Sequence, residues 1–400
     1  MKINIFWFRR DLRFTDNTAL MEALSSGLPV LPLFIFDTSI TNKLPASDPR
    51  IGFIYDTLHS LNRDLNNYSS SLLIKKGDPL DVWNEIAGSL KPETVFTNRD
   101  YEPYAVKRDE SVKKILQSFN IRFADFKDQV IFEKTEVVKP DNSPYTVFTP
   151  YKKRWLQHFE TSKVVTATGV ILFDNFHKEI FRFPSITELG FIKSSVKVRP
   201  YDLSVIRTYD RLRDIPSADA TSYLGPHLRF GTVSIRLLVK QAYEENSTFL
   251  GELIWREFFM QILTNYPRVE AENFRRKYNG IRWRNNEKEF QRWCNGETGY
   301  PLVDAGMRQL AETGYMHNRI RMITAGFLCK HLLIDWRWGE ALFAQRLLDY
   351  ELSSNNGNWQ WSAGTGCDAA PYFRVFNPLT QQDRFDPRGD YIHRWVPGSG

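Results

Sequence analysis

The stretch LLIKKGDPLDVWNEIAGSLKPETVF, residues 72–96, contains the pattern that decides the fold of the N-terminal part of the chain. Its apolar runs 72–74 and 94–96 predict β-strands with a helix between them. Asp78 is a capping residue followed by Pro79 at the first helical position, a combination typical of a helix start. Apolar residues at helical spacing support the helix, namely Leu80, Val82, Trp83 and Ile86.

The same alternation of strand and helix extends over residues 1–132. Further strands are predicted at 3–8, 29–36 and 121–123. Such an alternation implies a parallel, doubly wound, Rossmann-like α/β sheet. Ligands of these sheets bind at the carboxyl ends of the strands, which here carry Arg9-Arg10-Asp11, Asp37 and Asp100. No Gly-x-Gly-x-x-Gly follows the first strand, so a standard dinucleotide site is not expected in this half.

Composition indicates an ordinary globular protein, with 42% hydrophobic and 25% charged residues among 400. No apolar run is long enough to span a membrane, so we expect no membrane association. Cys294, Cys329 and Cys367 have no metal-ligand spacing, which predicts buried free thiols, a cytoplasmic location and no metal site. The net charge of +6 is compatible with a polyanionic partner but is weak evidence for one.

The C-terminal half is predicted to be helical. Apolar residues repeat at helical spacing in 249–263, 302–313 and 319–333. We therefore expect an α/β domain at 1–132, an interdomain connector at 133–200 and an all-α domain at 201–400. The chain stops soon after Pro397 without an obvious closing helix, so we expect it to be truncated at its C-terminus.

Tryptophan is frequent, with eleven residues crowded toward the C-terminal half in stretches such as NNGNWQW at 355–361. A core built for packing alone would favour aliphatic residues, because a buried indole N–H needs a partner. Glu252, Trp255 and Arg256 lie at i, i+3 and i+4, hence on one helix face, and Asn318 shares a face with Met322. Salt bridges on solvated helices do not explain the shared aromatic and amide residues, which suit a flat ligand such as a nucleobase.

Several motifs follow one another along the chain. They are WFRRDLR at 7–13, YDRLRDIP at 209–216, TSYLGPHLRFG at 221–231, ELIWREF at 252–258, TGYPLVDA at 298–305, MHNRIRM at 316–322, NNGNWQW at 355–361 and DAAPYFRVFNP at 368–378. In this order and spacing the chain resembles the photolyase/cryptochrome family over essentially its whole length. The greatest similarity is to class I cyclobutane pyrimidine dimer (deoxyribodipyrimidine) photolyases. The resemblance implies a carbon–carbon lyase that flips dimers out of UV-damaged DNA and splits them with light.

The resemblance also implies one FAD, fully reduced in the active state, in an all-α FAD-binding domain. The implied FAD contacts are Tyr209, Thr221, Ser222, Tyr223, Leu224, Gly225, Phe249, Arg256, Arg321, Asp349, Tyr350, Glu351 and Asn355. Asn355 would face flavin N5, where plant-type cryptochromes have an acid, and this difference favours repair. Gly225 replaces a common Ser, Phe249 a common Trp and Glu351 a common Asp, and we expect FAD to tolerate all three changes.

In the implied reaction, excited reduced flavin transfers an electron to the flipped dimer. The implied substrate and DNA contacts are Arg213, Glu252, Trp255, Asn318, Arg319 and Met322. The implied catalytic residues are Glu252, Asn355 and an electron relay of Trp359, Trp336 and Trp283. For the other C-terminal tryptophans, core packing is preferred, namely Trp293, Trp338, Trp361 and Trp395.

A second, light-harvesting chromophore is an open question. The residues Phe36, Asp37, Arg50, Asp100, Glu102 and Arg108 resemble the pocket of relatives that bind a deazaflavin. Tyr104-Ala105 replaces the Asn-Glu pair of folate-binding relatives, so deazaflavin is favoured over folate, while FMN or no antenna stay open. A charged cluster at strand ends without any chromophore explains the same residues.

Two other functions stay open from the sequence. One is a cryptochrome-type flavin photoreceptor without repair activity, which would not need Glu252, Trp255, Asn318 and Arg319 together. The other is a nucleic-acid-binding module without a chromophore, which would show no flavin absorbance. For the enzyme, we expect a monomer in the cytoplasm, associated with the nucleoid when bound to DNA.

Overall fold

The computed structural model describes residues 2–162, 166, 171–368 and 375–398. The chain divides into two compact units. Unit 1 contains Met1–Glu133, Lys163–Val198 and His227–Leu238; unit 2 contains Lys134–Ser162, Arg199–Pro226 and Val239–Gly400. Residues 369–374 of the last motif, and the chain end at 399–400, lie outside the described residues.

Unit 1 is built on a five-stranded parallel sheet. The strands are β1 Asn4–Phe8, β2 Val30–Asp37, β3 Leu73–Gly77, β4 Thr94–Asn98 and β5 Arg122–Phe126. Their order is β3-β2-β1-β4-β5, and the register pairs Phe8 with Phe34 and Leu33 with Leu73. The chain direction across the sheet reverses between β1 and β4, which is the switch point of a doubly wound fold. The predicted α/β class is confirmed.

Helices connect these strands. They are α1 Thr18–Leu24, α2 Thr38–Thr41, α3 Pro49–Asn66, α4 Pro79–Ser89 and α5 Pro103–Ser118. The Asp78 carboxylate accepts a hydrogen bond from Leu80 N at 2.8 Å, so the predicted cap of α4 is present. The inner strands β1, β2 and β4 are buried on both faces, and in β1 Phe6 and Phe8 lie in one apolar cluster and Ile5 and Trp7 in the other.

The remaining helices follow in chain order. They are α6 Phe148–Thr161, α7 Tyr209–Leu212, α8 Leu224–Phe230, α9 Ile235–Glu245, α10 Ser247–Asn265, α11 Glu287–Asn295, α12 Pro301–Thr313, α13 Asn318–Lys330, α14 Trp336–Arg346, α15 Leu352–Ala363, α16 Pro378–Phe385 and α17 Asp390–Trp395. Short 3-10 helices occur at Phe173–Asn175, Ser204–Thr208, Pro216–Ala218, Pro267–Glu270 and Arg276–Tyr278. In the described part of the chain, no helix is both long and apolar enough to cross a membrane.

Two helix assignments differ from the sequence pattern. The helix predicted to reach Leu333 ends at Lys330, because Leu332 N and Ile334 N bond back to carbonyls of α13 and Leu333 has a φ of +53°. Residues 148–161, within the region predicted as a connector, form α6. This helix packs against α10, where Trp155 Nε1 donates to the buried Glu257 carboxylate at 2.7 Å.

Helix α15 packs tightly between α10 and α14 because glycines face its contacts. A Cβ atom at Gly357 of α15 would overlap the ring of Phe259 on α10. A Cβ atom at Gly339 of α14 would overlap the ring of Trp359 on α15. Since interiors are close-packed, these missing side chains set how near the three helices can approach.

Candidate active site

A cavity of about 340 Å³ lies among α10, α13 and α15 of unit 2, and we call it the central cavity. Predicted site residues in its lining are Arg213, Glu252, Trp255, Arg256, Asn318, Arg321, Met322, Asp349, Tyr350, Glu351, Asn355 and Trp359. Lining residues that were not predicted are Phe259, Ala325, Phe343, Leu347, Ser354, Asn358, Trp361 and Ser362. Its volume and its mixture of aromatic and polar side chains are typical of a small-molecule site.

Helical spacing brings these side chains together. On α10 the cavity face carries Glu252, Trp255, Arg256 and Phe259, and on α13 it carries Asn318, Arg321, Met322 and Ala325. Both sets follow the spacing i, i+3, i+4 and i+7, which is one helix face. The same spacing, extended by one turn from Trp255 and Met322, would have found Phe259 and Ala325 from the sequence.

Other predicted FAD contacts lie outside the lining of the central cavity as described. They are Tyr209, Thr221, Ser222, Tyr223, Leu224, Gly225 and Phe249. The ring of Tyr209 meets Phe249 edge-on at 5.1 Å, and the guanidinium of Arg213 lies 5.2 Å from the Tyr209 ring centre. Burial, followed by the nearby Glu252 carboxylate, raises the pKa of Tyr209, so its hydroxyl stays a hydrogen-bond donor.

Gly225 does not line the central cavity but packs against Asp349, which does. A Cβ atom at this position would lie 2.5 Å from Cβ and 2.7 Å from Oδ2 of Asp349. The serine that the resemblance led us to expect here therefore does not fit while Asp349 holds its present position. The departure at Gly225 is coupled to the placement of a carboxylate in the cavity.

Two ion pairs form the inner wall. Arg256 donates to Glu351 at 3.0 Å, and Arg321 donates to Asp349 Oδ2 at 2.9 Å. The other carboxylate oxygen of Asp349 is buried and has no hydrogen-bond partner in the protein. Leaving such an acceptor unsatisfied costs about 1–3 kcal/mol, so a ligand with an N–H or O–H donor fits here. This free acceptor on Asp349, together with the guanidinium groups of Arg256 and Arg321, is compatible with the implied FAD.

Asn355 is fixed by a neighbour on α14. Its side-chain nitrogen donates to the Glu340 backbone oxygen at 3.1 Å and to Glu340 Oε1 at 2.8 Å. Burial raises the pKa of Glu340, while the bond from Asn355 acts in the opposite direction. Because the amide nitrogen is engaged, the amide oxygen is the atom that Asn355 offers to the central cavity as an acceptor.

Trp255 has a rigid backing. The ring of Phe148, from α6, stacks on it with a centroid distance of 3.5 Å and an interplanar angle of 9°. The ring of Phe259 lies at 5.4 Å with an angle of 28°. Two aromatic neighbours therefore hold the indole plane of Trp255, and such a plane is a suitable stacking surface for a flat ligand.

Two further ion pairs, which we call the rim, lie in the wall of the cavity and next to it. Arg213 donates to Glu252 Oε1 at 2.6 Å, and Arg319 donates to Asp214 Oδ1 at 2.6 Å. Arg319 lines a second cavity of about 480 Å³, which shares Met322 and Trp361 with the first. Trp361, for which packing was preferred, is half-buried and lies in the walls of both cavities. Its position two residues after Trp359 gave no sequence signal for this placement.

The three predicted relay tryptophans pack in or against one apolar core cluster. Trp359 lines the central cavity, and Trp336 is buried with its Nε1 donating to Asn273 at 2.9 Å. The segment that contains the half-buried Trp283 runs beside the start of α14, because Arg284 N donates to Leu333 O at 2.8 Å. A path from the cavity through Trp336 toward Trp283 is therefore compatible with these contacts.

The predicted antenna residues form charged contacts in unit 1. Asp37 accepts from the Tyr104 hydroxyl at 2.7 Å and lies 3.8 Å from Arg108. Arg50 pairs with Asp48 at 2.6 Å, and Glu102 pairs with Arg229 at 2.5 Å. The guanidinium of Arg108 also lies 5.0 Å from the ring centre of Trp7.

Asp100 and Phe36 complete this group. Asp100 pairs with Arg10 at 3.1 Å, and although burial acts in the opposite direction, Arg10 and Arg9 lower the pKa of Asp100. Phe36 is buried in the apolar cluster on one face of the sheet. All five charged members of the group already have protein partners, as expected of a strand-end charge cluster, and this pairing leaves the antenna question open.

Comparison with known proteins gives consistent matches. Residues 249–399 match the family described as FAD binding domain of DNA photolyase, and residues 4–168 match DNA photolyase. A deoxyribodipyrimidine photo-lyase of Halobacterium salinarum is 37% identical, over 99% of this chain and 89% of that protein. A class III photolyase structure from Agrobacterium tumefaciens has a TM-score of 0.85 and 32% identity, over 99% of this chain and 87% of that one. A cryptochrome from Synechocystis sp. PCC6803 has a TM-score of 0.82 and 28% identity, over 99% and 89%.

Replacing Gly225 tests the coupling to Asp349. We expect Gly225→Ser to displace the Asp349 carboxylate from Arg321 and to destabilise the protein by about 1–3 kcal/mol through overpacking. The flavin-to-protein ratio after purification should fall, and the melting temperature should decrease. Gly280→Ala is the matched control, because a Cβ there meets no atom within 4 Å. Unchanged flavin content and melting temperature in Gly225→Ser would contradict the coupling.

His317 predicts a pH dependence of stability. Its Nδ1 caps α13 by accepting from Arg319 N at 3.2 Å, and burial, followed by Arg321, lowers the pKa of His317 to about 4. The unfolded chain takes up this proton first, near its ordinary pKa of 6.5, so stability is lost as the pH falls from 6.5 toward 4. We expect His317→Asn, which keeps a capping side chain, to lose about 1–3 kcal/mol less over this range. Urea unfolding at both pH values measures this, and equal losses in both proteins would refute it.

Proposed function

The chain belongs to the DNA photolyase family, and we propose that its central cavity is where it repairs cyclobutane pyrimidine dimers. The protein is an FAD enzyme, a deoxyribodipyrimidine photo-lyase that uses light to repair UV-damaged DNA. One observation supports the location best. A single cavity combines an unpartnered buried carboxylate oxygen on Asp349, a fixed amide on Asn355, and Glu252 beside Trp255.

FAD occupies the inner part of the cavity in this proposal. When bound in its fully reduced form, FAD absorbs blue or near-UV light and supplies the electron that splits the dimer. Asp349 Oδ1 accepts a hydrogen bond from the cofactor, while the pairs Arg321–Asp349 and Arg256–Glu351 keep the wall charges neutralised. Further cofactor contacts are assigned to Tyr209, Thr221, Ser222, Tyr223, Leu224, Gly225, Phe249 and Tyr350.

Asn355 controls the protonation state of the cofactor. Its oxygen faces the cavity because its nitrogen is held by Glu340. An acceptor at this point favours an N–H over a bare nitrogen on the ring edge that it meets. An acid at the same position would itself exchange a proton, so the amide keeps the reduced cofactor available for repair.

The outer part of the cavity receives the flipped dimer. Glu252 hydrogen-bonds the base edges, and the indole of Trp255, which Phe148 holds in place, stacks on the bases. Asn318 and Met322 line the remaining wall. Arg213 and Arg319 lie at the rim, where they contact phosphates beside the lesion. This combination of residues favours repair over a signalling role without repair. Assignment to class I among the photolyases stays a prediction.

Two finer statements complete the proposal. We propose that the protein acts as a monomer, since a single chain supplies every side chain that the proposal assigns to the cofactor and the dimer. We also propose a cytoplasmic location with binding to the nucleoid, supported by three buried free cysteines.

An antenna pigment, if carried, is assigned to the Asp37 and Arg108 region. The absorption spectrum of the pigment released by denaturation distinguishes deazaflavin, FMN and no antenna.

Glu252→Ala tests the dimer site. We expect it to keep FAD and to slow repair by at least about tenfold, because it removes a hydrogen-bonding group that faces the base edges. Blue light is applied to the reduced protein with UV-irradiated oligothymidylate, and recovery of thymine absorbance is followed. Glu312→Ala, at an exposed position of α12, is the control and should repair normally. If the unaltered protein with reduced flavin gives no recovery, the proposed function is wrong.

Trp336→Phe tests the electron relay. We expect photoreduction of oxidised flavin to slow by at least about tenfold, because phenylalanine is much harder to oxidise than indole. Flavin absorbance under illumination with an external reductant measures the rate. Trp293→Phe is the matched control, since Trp293 is also buried, bonds Thr324 O at 3.2 Å and contacts Trp359 at 6.1 Å. Equal slowing in both variants would argue for a packing effect rather than a relay.

A further inference from the structure

The rim of the central cavity contains two ion pairs. Arg213 pairs with Glu252, and its sequence neighbour Asp214 pairs with Arg319. These two pairs carry no net charge, whereas the exposed Arg384 lies beside Arg319 in the wall of the second cavity. Non-specific affinity for DNA comes mainly from arginine and lysine contacts with phosphates. While the two pairs hold, Arg213 and Arg319 therefore bind an undamaged strand more weakly than the same cations would without carboxylate partners.

The two pairs differ in what surrounds them. Glu252 lines the central cavity, whereas Asp214 lies outside its lining and its side chain is 46% exposed. Arg319 is only 19% exposed and its guanidinium lies 4.4 Å from the ring centre of Phe385. Its Nε also reaches Asp214 Oδ1, at 3.2 Å. Arg319 is thus held in place by packing, and Asp214 is the more exposed partner.

Arg213 bonds Glu252 and is followed directly in the chain by Asp214. Against the effect of burial, Glu252 first and Asp214 in addition raise the pKa of Arg213. If Glu252 turns to a ligand in the cavity, Asp214, the next residue in the chain, is the carboxylate that can take its place beside Arg213. Arg319 would then lose its carboxylate partner while its stacking on Phe385 keeps it in position.

We propose that Asp214 is a specificity-determining residue that couples entry of the lesion into the central cavity to binding of a backbone phosphate by Arg319. In the free protein Asp214 neutralises Arg319. A dimer that accepts or donates a hydrogen bond at Glu252 separates Glu252 from Arg213. Arg213 then pairs with Asp214 instead, and Arg319, which has lost Asp214, can bind a phosphate. An undamaged strand offers nothing to Glu252, so the exchange does not begin. This inference rests on the proposed role of the central cavity as the dimer site.

Asp214→Asn tests the coupling directly. Binding is measured in the dark, over a series of salt concentrations, with one duplex that carries a single dimer and the same duplex without it. We expect affinity for the undamaged duplex to rise about two- to fivefold, as for loss of a partly exposed ion pair. The salt dependence for that duplex should steepen by about 0.9, corresponding to one additional phosphate contact. Affinity for the dimer duplex should change less, so discrimination falls.

Three variants serve as controls. Asp210→Asn removes the same charge one turn earlier, where the exposed Asp210 pairs with the Asn246 amide rather than with an arginine, and should leave discrimination unchanged. Asp214→Glu keeps the charge and should keep discrimination. In Asp214→Asn/Arg319→Gln the rise in affinity for undamaged duplex should disappear, since the effect acts through Arg319.

The outcomes separate this inference from the proposed function. If the unaltered protein does not prefer the dimer duplex, the proposed function fails. If it does, and Asp214→Asn leaves both affinities unchanged, changes them by one common factor or weakens both, the coupling through Asp214 is wrong. Melting temperatures of all variants show whether each is folded, and Asp214→Ser, which also removes the carboxylate and should give the same loss of discrimination, replaces the asparagine variant if that one is not.

Discussion

Close packing of α15 between α10 and α14 is the constraint on which the rest of the site depends. Gly357 admits the ring of Phe259, and Gly339 admits the ring of Trp359. Protein interiors are as dense as organic crystals, so an added methyl group in either place would force a helix to move. Because Asn355 and Trp359 are one turn apart on α15, the same packing places both the amide and the indole at the cavity.

The ion pairs of the cavity differ in exposure. In the inner wall, Arg256 and Glu351 are 12% and 6% exposed, and separating them would leave a buried charge without compensation. Arg321 and Asp349 are 27% and 19% exposed, close to the 25% and 34% of Arg213 and Glu252, so water or a ligand can compete for the partners in both of these pairs. Of these three pairs, Arg256–Glu351 is therefore the one least open to exchange.

The sequence was sufficient for the fold and for most of the cavity because both depend on local periodicity. Apolar runs separated by Asp-Pro helix starts gave the parallel sheet, and polar residues at helical spacing gave Glu252, Trp255 and Asn318. Pairings between distant segments have no local signature, so Arg319 with Asp214 and Asn355 with Glu340 required the structure. The sequence does not predict the helix at 148–161, because its buried face consists of Phe148, Tyr151 and Trp155 and the rest of the segment is mostly polar.

Two physical demands explain several of the tryptophans. Buried indoles are favoured where the N–H meets an acceptor, and Trp336, Trp293 and Trp155 each have one, on Asn273, Thr324 and Glu257 respectively, whereas the buried Nε1 atoms of Trp83 and Trp395 have none among the residues that the structure describes. Trp255 and Trp361 instead line cavities, where the flat face of the ring is what the site uses. Composition alone cannot separate these demands, because both require the same side chain. A buried acceptor opposite the indole N–H identifies the first group, and an indole face in a cavity wall identifies the second.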